Sequence, residues 1–132
     1  MSKISTASRN AQCDAHTALL DGGTVEFRTG VAPADPQTAD SGTLLATVTL
    51  AATAFAAAVN GSAALNTTAS TGTVGSDNDV GHARWKDSGG TAVMDCSVAV
   101  SSADMLVDSI SWTTGQIVDI TSFSYTVPEA SA

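Results

Sequence analysis

Residues Val80–Val100 read VGHARWKDSGGTAVMDCSVAV, two alternating runs on either side of the cluster Asp87-Ser88-Gly89-Gly90. Turn residues between alternating segments predict a β-hairpin. With Ser88 and Gly89 at its tip, the expected pairs are Lys86–Thr91, Trp85–Ala92, Arg84–Val93, Ala83–Met94 and His82–Asp95. Period two then sorts the side chains. Ala83, Trp85, Ala92, Met94 and Cys96 share an apolar face. His82, Arg84, Lys86, Thr91 and Asp95 share the other, with Val93 as the exception. A slip of one residue would put Trp85 in water, so the hydrophobic pattern specifies which face is inside.

The remaining chain is organised around more strands of this kind. Ser5-Thr6-Ala7-Ser8 offers helix N-caps, and a short helix is expected from there to Leu20, with Ala7, Ala11, Ala15, Ala18 and Leu19 as its apolar stripe. Asp21-Gly22-Gly23 ends it. Thr24–Thr29 alternates with Val25 and Phe27 inward and Glu26 and Arg28 outward. Gly30–Gly42 holds Pro33 and Pro36 and reads as a long polar loop. Thr43–Leu50 is a strand with Leu44, Ala46, Val48 and Leu50 on one face. Ala51–Val59 is a loose segment anchored by Phe55, Asn60-Gly61 a turn, Ser62–Thr68 a weaker strand, and Ala69–Asp79 flexible by composition. Ser101–Asp104 turns the chain. Met105–Trp112 carries Leu106, Ile110 and Trp112 on one face, interrupted at Asp108. Ile117–Val127 carries Ile117, Phe123, Tyr125 and Val127, and Pro128 stops it.

Seven or eight short strands spaced by turns, preceded by one helix, predict a mainly β fold, an antiparallel β-sandwich or jelly-roll-like barrel. The expected organisation is an N-terminal arm and short helix over residues 1–20, a β-sandwich domain over 21–128, and a tail over 129–132. A chain of 132 residues suits one such domain. Its aromatic content is only 5%, so stability must rest on a few large side chains together with Val, Leu and Ile. A core so modest favours completion by self-association or docking.

The formal net charge is −8, from thirteen acidic and five basic residues. That balance argues against nucleic acid or an anionic membrane as partner, since both require cationic surface. No apolar run approaches the ~18 residues of a membrane span. The segment Met1–Arg9 lacks the apolar centre of a secretory signal, so a cytoplasmic origin is expected. The two cysteines, Cys13 and Cys96, make no disulfide framework and are expected as buried free thiols.

Catalytic chemistry finds no pattern here. There is no G-x-S-x-G elbow and no Walker-type phosphate loop. Cys13 and His16 can share a helix face, but Cys96 and His82 fall on opposite faces of the hairpin, so the four cannot converge on zinc. Asp77-Asn78-Asp79 lacks the spacing of a calcium loop. Glutamate occurs only at 26 and 129, with few aromatics to form a sugar platform, which argues against a glycosidase pair. No enzyme activity, cofactor or metal is therefore expected. The outer face of the hairpin remains. His82, Arg84 and Lys86 form a cationic row on an acidic chain. Either Asp95 neutralises the row in water, or the row is a contact surface for an acidic partner.

Several blocks together resemble a known group. Leu20-Asp21-Gly22-Gly23 runs into Thr24-Val25-Glu26-Phe27-Arg28-Thr29-Gly30. Gly42–Leu50 (GTLLATVTL), Ala54-Phe55, the Ala83–Gly90 segment (ARWKDSGG) and Gly115–Phe123 (GQIVDITSF) follow in order. This texture resembles small tailed-bacteriophage virion proteins, some of which are head decoration or cement proteins. The resemblance covers most of residues 5–128 and carries no catalytic motif. It implies a β-rich structural protein that binds the major capsid protein on the outer surface of the head, often as a homotrimer, after assembly in the bacterial cytoplasm. The arm and helix of residues 1–20 would then be a candidate for reaching a neighbouring subunit. Two other expectations stand beside it: a tail or fibre adaptor, and a small carbohydrate-binding module, which would need an exposed aromatic such as Trp112.

Overall fold

A computed structural model describes residues 3–66, 71–99, 105–107 and 109–127. The chain is mainly β with one helix. Helix α1 (Thr6–Ala18) is followed by β1 (Thr24–Arg28), β2 (Leu44–Thr49), β3 (Ser62–Ala64), β4 (Thr71–Thr73), β5 (Asn78–Asp79), β6 (His82–Lys86), β7 (Ala92–Ala99), β8 (Met105–Val107), β9 (Ser111–Trp112), β10 (Ile117–Ser122) and β11 (Ser124–Thr126). The strands are shorter and more numerous than the seven or eight expected. A seven-stranded sheet runs β2-β1-β6-β7-β8-β10-β4, and two-stranded pieces join β11 to β3 and β5 to β9. Pairing is antiparallel except between β7 and β8, which run parallel with Val98 opposite Met105. The expected turn at 101–104, Asp108, Pro128 and the 129–132 tail lie outside the described residues.

The two ends of the large sheet meet. Just past β4, Gly75 N donates to Leu45 O on β2 at 2.7 Å. The backbone of Gly72 lies so close to β2 that a Cβ there would sit 2.7 Å from Thr47 O. The sheet is thus rolled so that its two end strands lie side by side. This close approach requires glycine. Gly72→Ala is expected to force the β4–β2 seam apart and to cost about 1–3 kcal/mol, read as a lowered urea midpoint with an unchanged m-value. Ala69–Asp79, flexible by composition, is therefore built in part into the sheet, and Val74 is buried within it.

The interior follows the period-two pattern where strands are regular. Val25 and Phe27 on β1, Ala83 and Trp85 on β6, and Cys96 and Val98 on β7 are buried in one core. Trp85 packs against Phe123 at 4.7 Å between ring centroids and against Phe55 at 5.9 Å. Phe27 meets Trp112 edge-on at 5.2 Å.

The hairpin register differs from the sequence reading by two residues. Asp87 N donates to Thr91 O, which makes Ser88–Gly90 a three-residue loop, with Gly90 at φ 87. A bulge then sets Lys86 opposite Ala92 but Trp85 opposite Met94, leaving Val93 as the extra residue. Each irregularity adds one residue, so beyond the bulge the even total leaves Met94, Asp95 and Cys96 on their expected faces, while Ala92, between loop and bulge, pairs with Lys86 and moves to the polar face. The bulge also explains why Val93 broke the polar pattern: it is half-buried against the core.

Parity fails where strands break. A bulge against β1 turns Leu45 inward, 2% exposed, and leaves Leu44 at 41%. The chain leaves strand geometry between β8 and β9, so Ile110 is exposed while Trp112 is buried. The long last strand is interrupted at Phe123. Before the break Val118 and Ile120 point inward and Ile117 outward, and after it Phe123 and Val127 are the buried pair.

The helix presents a different face from the one expected. Ser5 caps it by accepting from Ser8 N, but Ala7, Ala11, Ala15, Ala18 and Leu19 face solvent. The inward stripe is Cys13, Thr17 and Leu20, flanked by half-buried Arg9, Asn10 and His16. Polar groups of the helix hold loops distant in sequence. Arg9 Nε donates to Val127 O, Asn10 Oδ1 accepts from Gly61 N at 2.7 Å, and Asp14 Oδ1 accepts from Ala58 N at 2.9 Å. These loop donors need partners when the helix covers them, so polar residues outweigh the alanine stripe. Helix α1 is bound to its own domain and is not a free arm.

Candidate functional site

The polar face of the hairpin lies under the loop of residues 30–42, which crosses it as a strap. His82 and Arg84 are each 1% exposed and Lys86 is half-buried. The row expected in water is thus largely covered, because β6 is an interior strand of the sheet and its outer face is roofed by a loop rich in acceptors.

Arg84 is the centre of that arrangement. Asp95 on β7 lies directly opposite it, not opposite His82 as the sequence reading had it. Its Nε donates to Asp95 Oδ1 at 2.8 Å and its Nη2 to Asp95 Oδ2 at 3.1 Å. Nη1 donates to Thr38 O at 2.6 Å and Asp40 Oδ1 at 3.0 Å, and Nη2 also reaches Asp35 O at 3.3 Å. A guanidinium has five N–H groups, and each has an acceptor here. Arg84 has no donor to offer a partner while the strap is closed. The fork to Asp95, followed by the bond to Asp40, holds its pKa above the ordinary arginine value despite burial.

Asp40 ties the strap to three cations. It accepts from Lys86 Nζ at 2.9 Å, Arg84 Nη1 at 3.0 Å and Arg28 Nη2 at 3.1 Å. Glu26 on β1 completes the cluster, accepting from Arg28 Nη2 at 2.8 Å and Lys86 Nζ at 3.1 Å. Burial works against the charge of Lys86, but its bonds to Asp40 and Glu26 outweigh that and raise its pKa. The Lys86 bond, followed by the Arg84 bond and the Arg28 and Lys86 charges, holds the Asp40 carboxyl below its usual range. A depressed carboxylate contributes stability that is present above its unfolded pKa and is lost as pH falls through its folded one. Strap closure through Asp40 is therefore expected to persist to below the ordinary carboxylate range. Asp40→Asn should remove that acid-dependent step from a urea-unfolding series measured against pH.

Three cations and three carboxylates cancel within this cluster. The chain's only other basic residues are Lys3 and Arg9, and Arg9 is bound to Val127 O. The rest of the chain thus carries the whole formal charge of −8. Charge reversal at Arg84 would break these bonds inside the fold, so it is no test of the row as a contact surface.

His82 differs from its neighbours. Its Nδ1 lies 3.1 Å from Gly30 O, while Nε2 is buried without a hydrogen-bond partner, the only such side-chain atom among the described residues. His82, Cys96 and Ser97 line an open cleft of about 510 Å³ with Gly30–Ala32 and Asp79–Gly81. Nε2 is not accessible from it.

Cys13 and Cys96 are both buried and form no disulfide, as expected. Cys13 Sγ contacts Tyr125 O at 3.4 Å, and burial, with the nearby Asp14 charge, raises its pKa and keeps it a thiol. His16 stacks on Tyr125 at 4.0 Å. Among the described residues no three His, Cys, Asp or Glu side chains are grouped to hold a metal, and no helix is long and apolar enough to cross a membrane. Trp112, the aromatic a glycan platform required, is 2% exposed, with its indole N–H on Ser109 O. Asp35, Thr38 and Asp40 were not legible as site residues. Their one signal was a polar loop with acidic residues in a chain whose hairpin carried unmatched cations.

No protein-family model, no curated protein and no solved structure matches this chain.

Proposed function

We propose that this protein is a non-enzymatic structural component of a tailed-phage virion, a decoration protein that binds the major capsid protein on the outside of the head. The supporting observation is where the resembling sequence blocks lie. Thr24–Gly30, Gly42–Leu50 and Ala83–Gly90 supply β1, β2 and β6, which are adjacent strands of one wall. What the blocks specify is a piece of architecture, with its charges matched internally, and that suits a part that stabilises a shell. Acidic, cation-poor exterior surface also disfavours adhesion to packaged nucleic acid. A homotrimer is the oligomer this reading favours.

The test is co-sedimentation of the purified protein with expanded capsids stripped of decoration. Saturable binding at a fixed ratio to the major capsid protein is the expected result. No binding to heads, with recovery of the protein by mass spectrometry in the separated tail fraction of virions, would replace this reading with a tail or fibre adaptor.

A further inference from the structure

We propose that Asn60 is a latent deamidation site that helix α1 holds inert. Val59 and Ser62 exchange backbone hydrogen bonds at 2.9 and 3.0 Å, so Asn60-Gly61 is a two-residue hairpin turn. Both turn residues have positive φ, 53 at Asn60 and 77 at Gly61. Asparagine followed by glycine is the pair such a turn favours. It is also the pair most open to succinimide formation, because glycine leaves its amide nitrogen unshielded beside the asparagine side chain. The Gly61 nitrogen, after losing its proton to hydroxide, attacks Asn60 Cγ. An N–Cγ bond forms, the Cγ–Nδ2 bond breaks, and the released nitrogen takes a proton from water and leaves as ammonia. Water then opens the imide at Cγ to give aspartate, or at the backbone carbonyl to give isoaspartate. The net reaction exchanges ammonia for water and needs no other co-reactant.

The fold blocks the first step at the attacking atom. Gly61 N–H donates to Asn10 Oδ1 at 2.7 Å. A nitrogen that must lose its proton and turn toward Asn60 is instead fixed toward the helix. Gly61 O accepts from Val127 N at 2.8 Å, which holds the other side of the residue. Arg9 lies against the same glycine: a Cβ on Gly61 would sit 2.7 Å from Arg9 Nε, and that nitrogen donates to Val127 O. Gly61 is buried although Asn60 beside it is exposed. Rotating the peptide between them therefore breaks the Asn10 bond and displaces Arg9. Both residues belong to one turn of helix α1, so the reaction passes through local undocking of that turn. The outcome is permanent. Isoaspartate adds a backbone carbon to a two-residue turn whose length sets the Val59–Ser62 pairing, so the helix loses the surface it docked on. Deamidation thus marks molecules whose helix has left the domain.

The experiment follows the Asn60 peptide by mass spectrometry after the full chain is held in warm, mildly alkaline buffer, with isoaspartate read by isoaspartyl methyltransferase labelling. The chain unfolded in guanidinium chloride gives the unprotected rate. Folded wild type should deamidate at Asn60 at least about tenfold more slowly than that. Asn10→Ala should react about two- to tenfold faster than wild type, the population change that matches one lost hydrogen bond. Asn10→Asp keeps an acceptor for Gly61 N–H and should stay near the wild-type rate. A folded wild type as fast as the unfolded chain overturns the proposal. So does an Asn60 that stays intact in the unfolded chain, an Asn10→Ala rate equal to wild type, or an Asn10→Asp rate equal to that of Asn10→Ala. If Asn10→Ala does not fold, hydrogen exchange of the wild-type Gly61 amide decides. Protection of about tenfold or more upholds the role of the helix, and a freely exchanging amide overturns it.

Discussion

Arg84→Met is expected to lower unfolding free energy by about 3–5 kcal/mol, the range for removing one partner of a buried ion pair. The substitution keeps much of the side-chain volume but leaves the Asp95 carboxylate, with only 10% of its side chain exposed, facing an apolar group. It also strands Thr38 O and Asp35 O and removes one of three cations from Asp40. Urea unfolding followed by circular dichroism gives the free energy, and ¹⁵N relaxation of residues 31–40 should show the strap released. Two controls separate charge from geometry. Arg84→Lys restores a cation but not the planar fork, so it should recover less than half of the loss. Arg84→Met combined with Asp95→Leu removes the stranded charge and should regain part of the stability without closing the strap. If Arg84→Met is as stable as wild type, the cluster contributes nothing net and the strap is held by other contacts.

Trp85→Ala should have an effect of similar size for a different reason. Trp85 is fully buried, packs on Phe123 and Phe55, and its indole N–H points at Cys96 Sγ at 3.2 Å. Large-to-small changes at such sites cost about 3–5 kcal/mol, through lost transfer energy and the cavity left behind. In a typical domain of about 5–15 kcal/mol that is a large share, and a chain with 5% aromatics has few other anchors of this size. The expected outcome is a urea midpoint shifted far down, or no cooperative transition at all. Trp85→Phe keeps a ring against Phe123 and should lose less than half as much. A near-neutral Trp85→Ala would mean that the hairpin's inner face is not the centre of the core.

The parts of the fold legible in the sequence are those where a regular alternation carries large side chains. Val25 and Phe27, and Ala83 and Trp85, point inward as read. Their faces survive an error of two residues in the hairpin register, because a three-residue loop and a bulge each add one and the sum is even. The misread positions share a cause of the opposite kind. A single break or bulge adds an odd residue, and Leu44, Ile117 and Ile110 accordingly face outward. The helix was misread because its inward residues are chosen by partners far along the chain. Asn10 serves Gly61, Asp14 serves Ala58 and Arg9 serves Val127, and no periodicity of apolar residues reports such bonds.

The cationic row shows the same division. That His82, Arg84 and Lys86 share a face of one strand follows from period two alone, and so does their separation from Trp85. Whether that face meets water depends on a loop 44 to 49 residues earlier, whose carboxylate and carbonyl groups match the guanidinium donors of Arg84. Alternation is a local property, fixed by the pleat of each strand. Coverage is a property of the folded chain, because the cost of burying Arg84 is offset only when acceptors from the strap and from Asp95 converge on it in three dimensions.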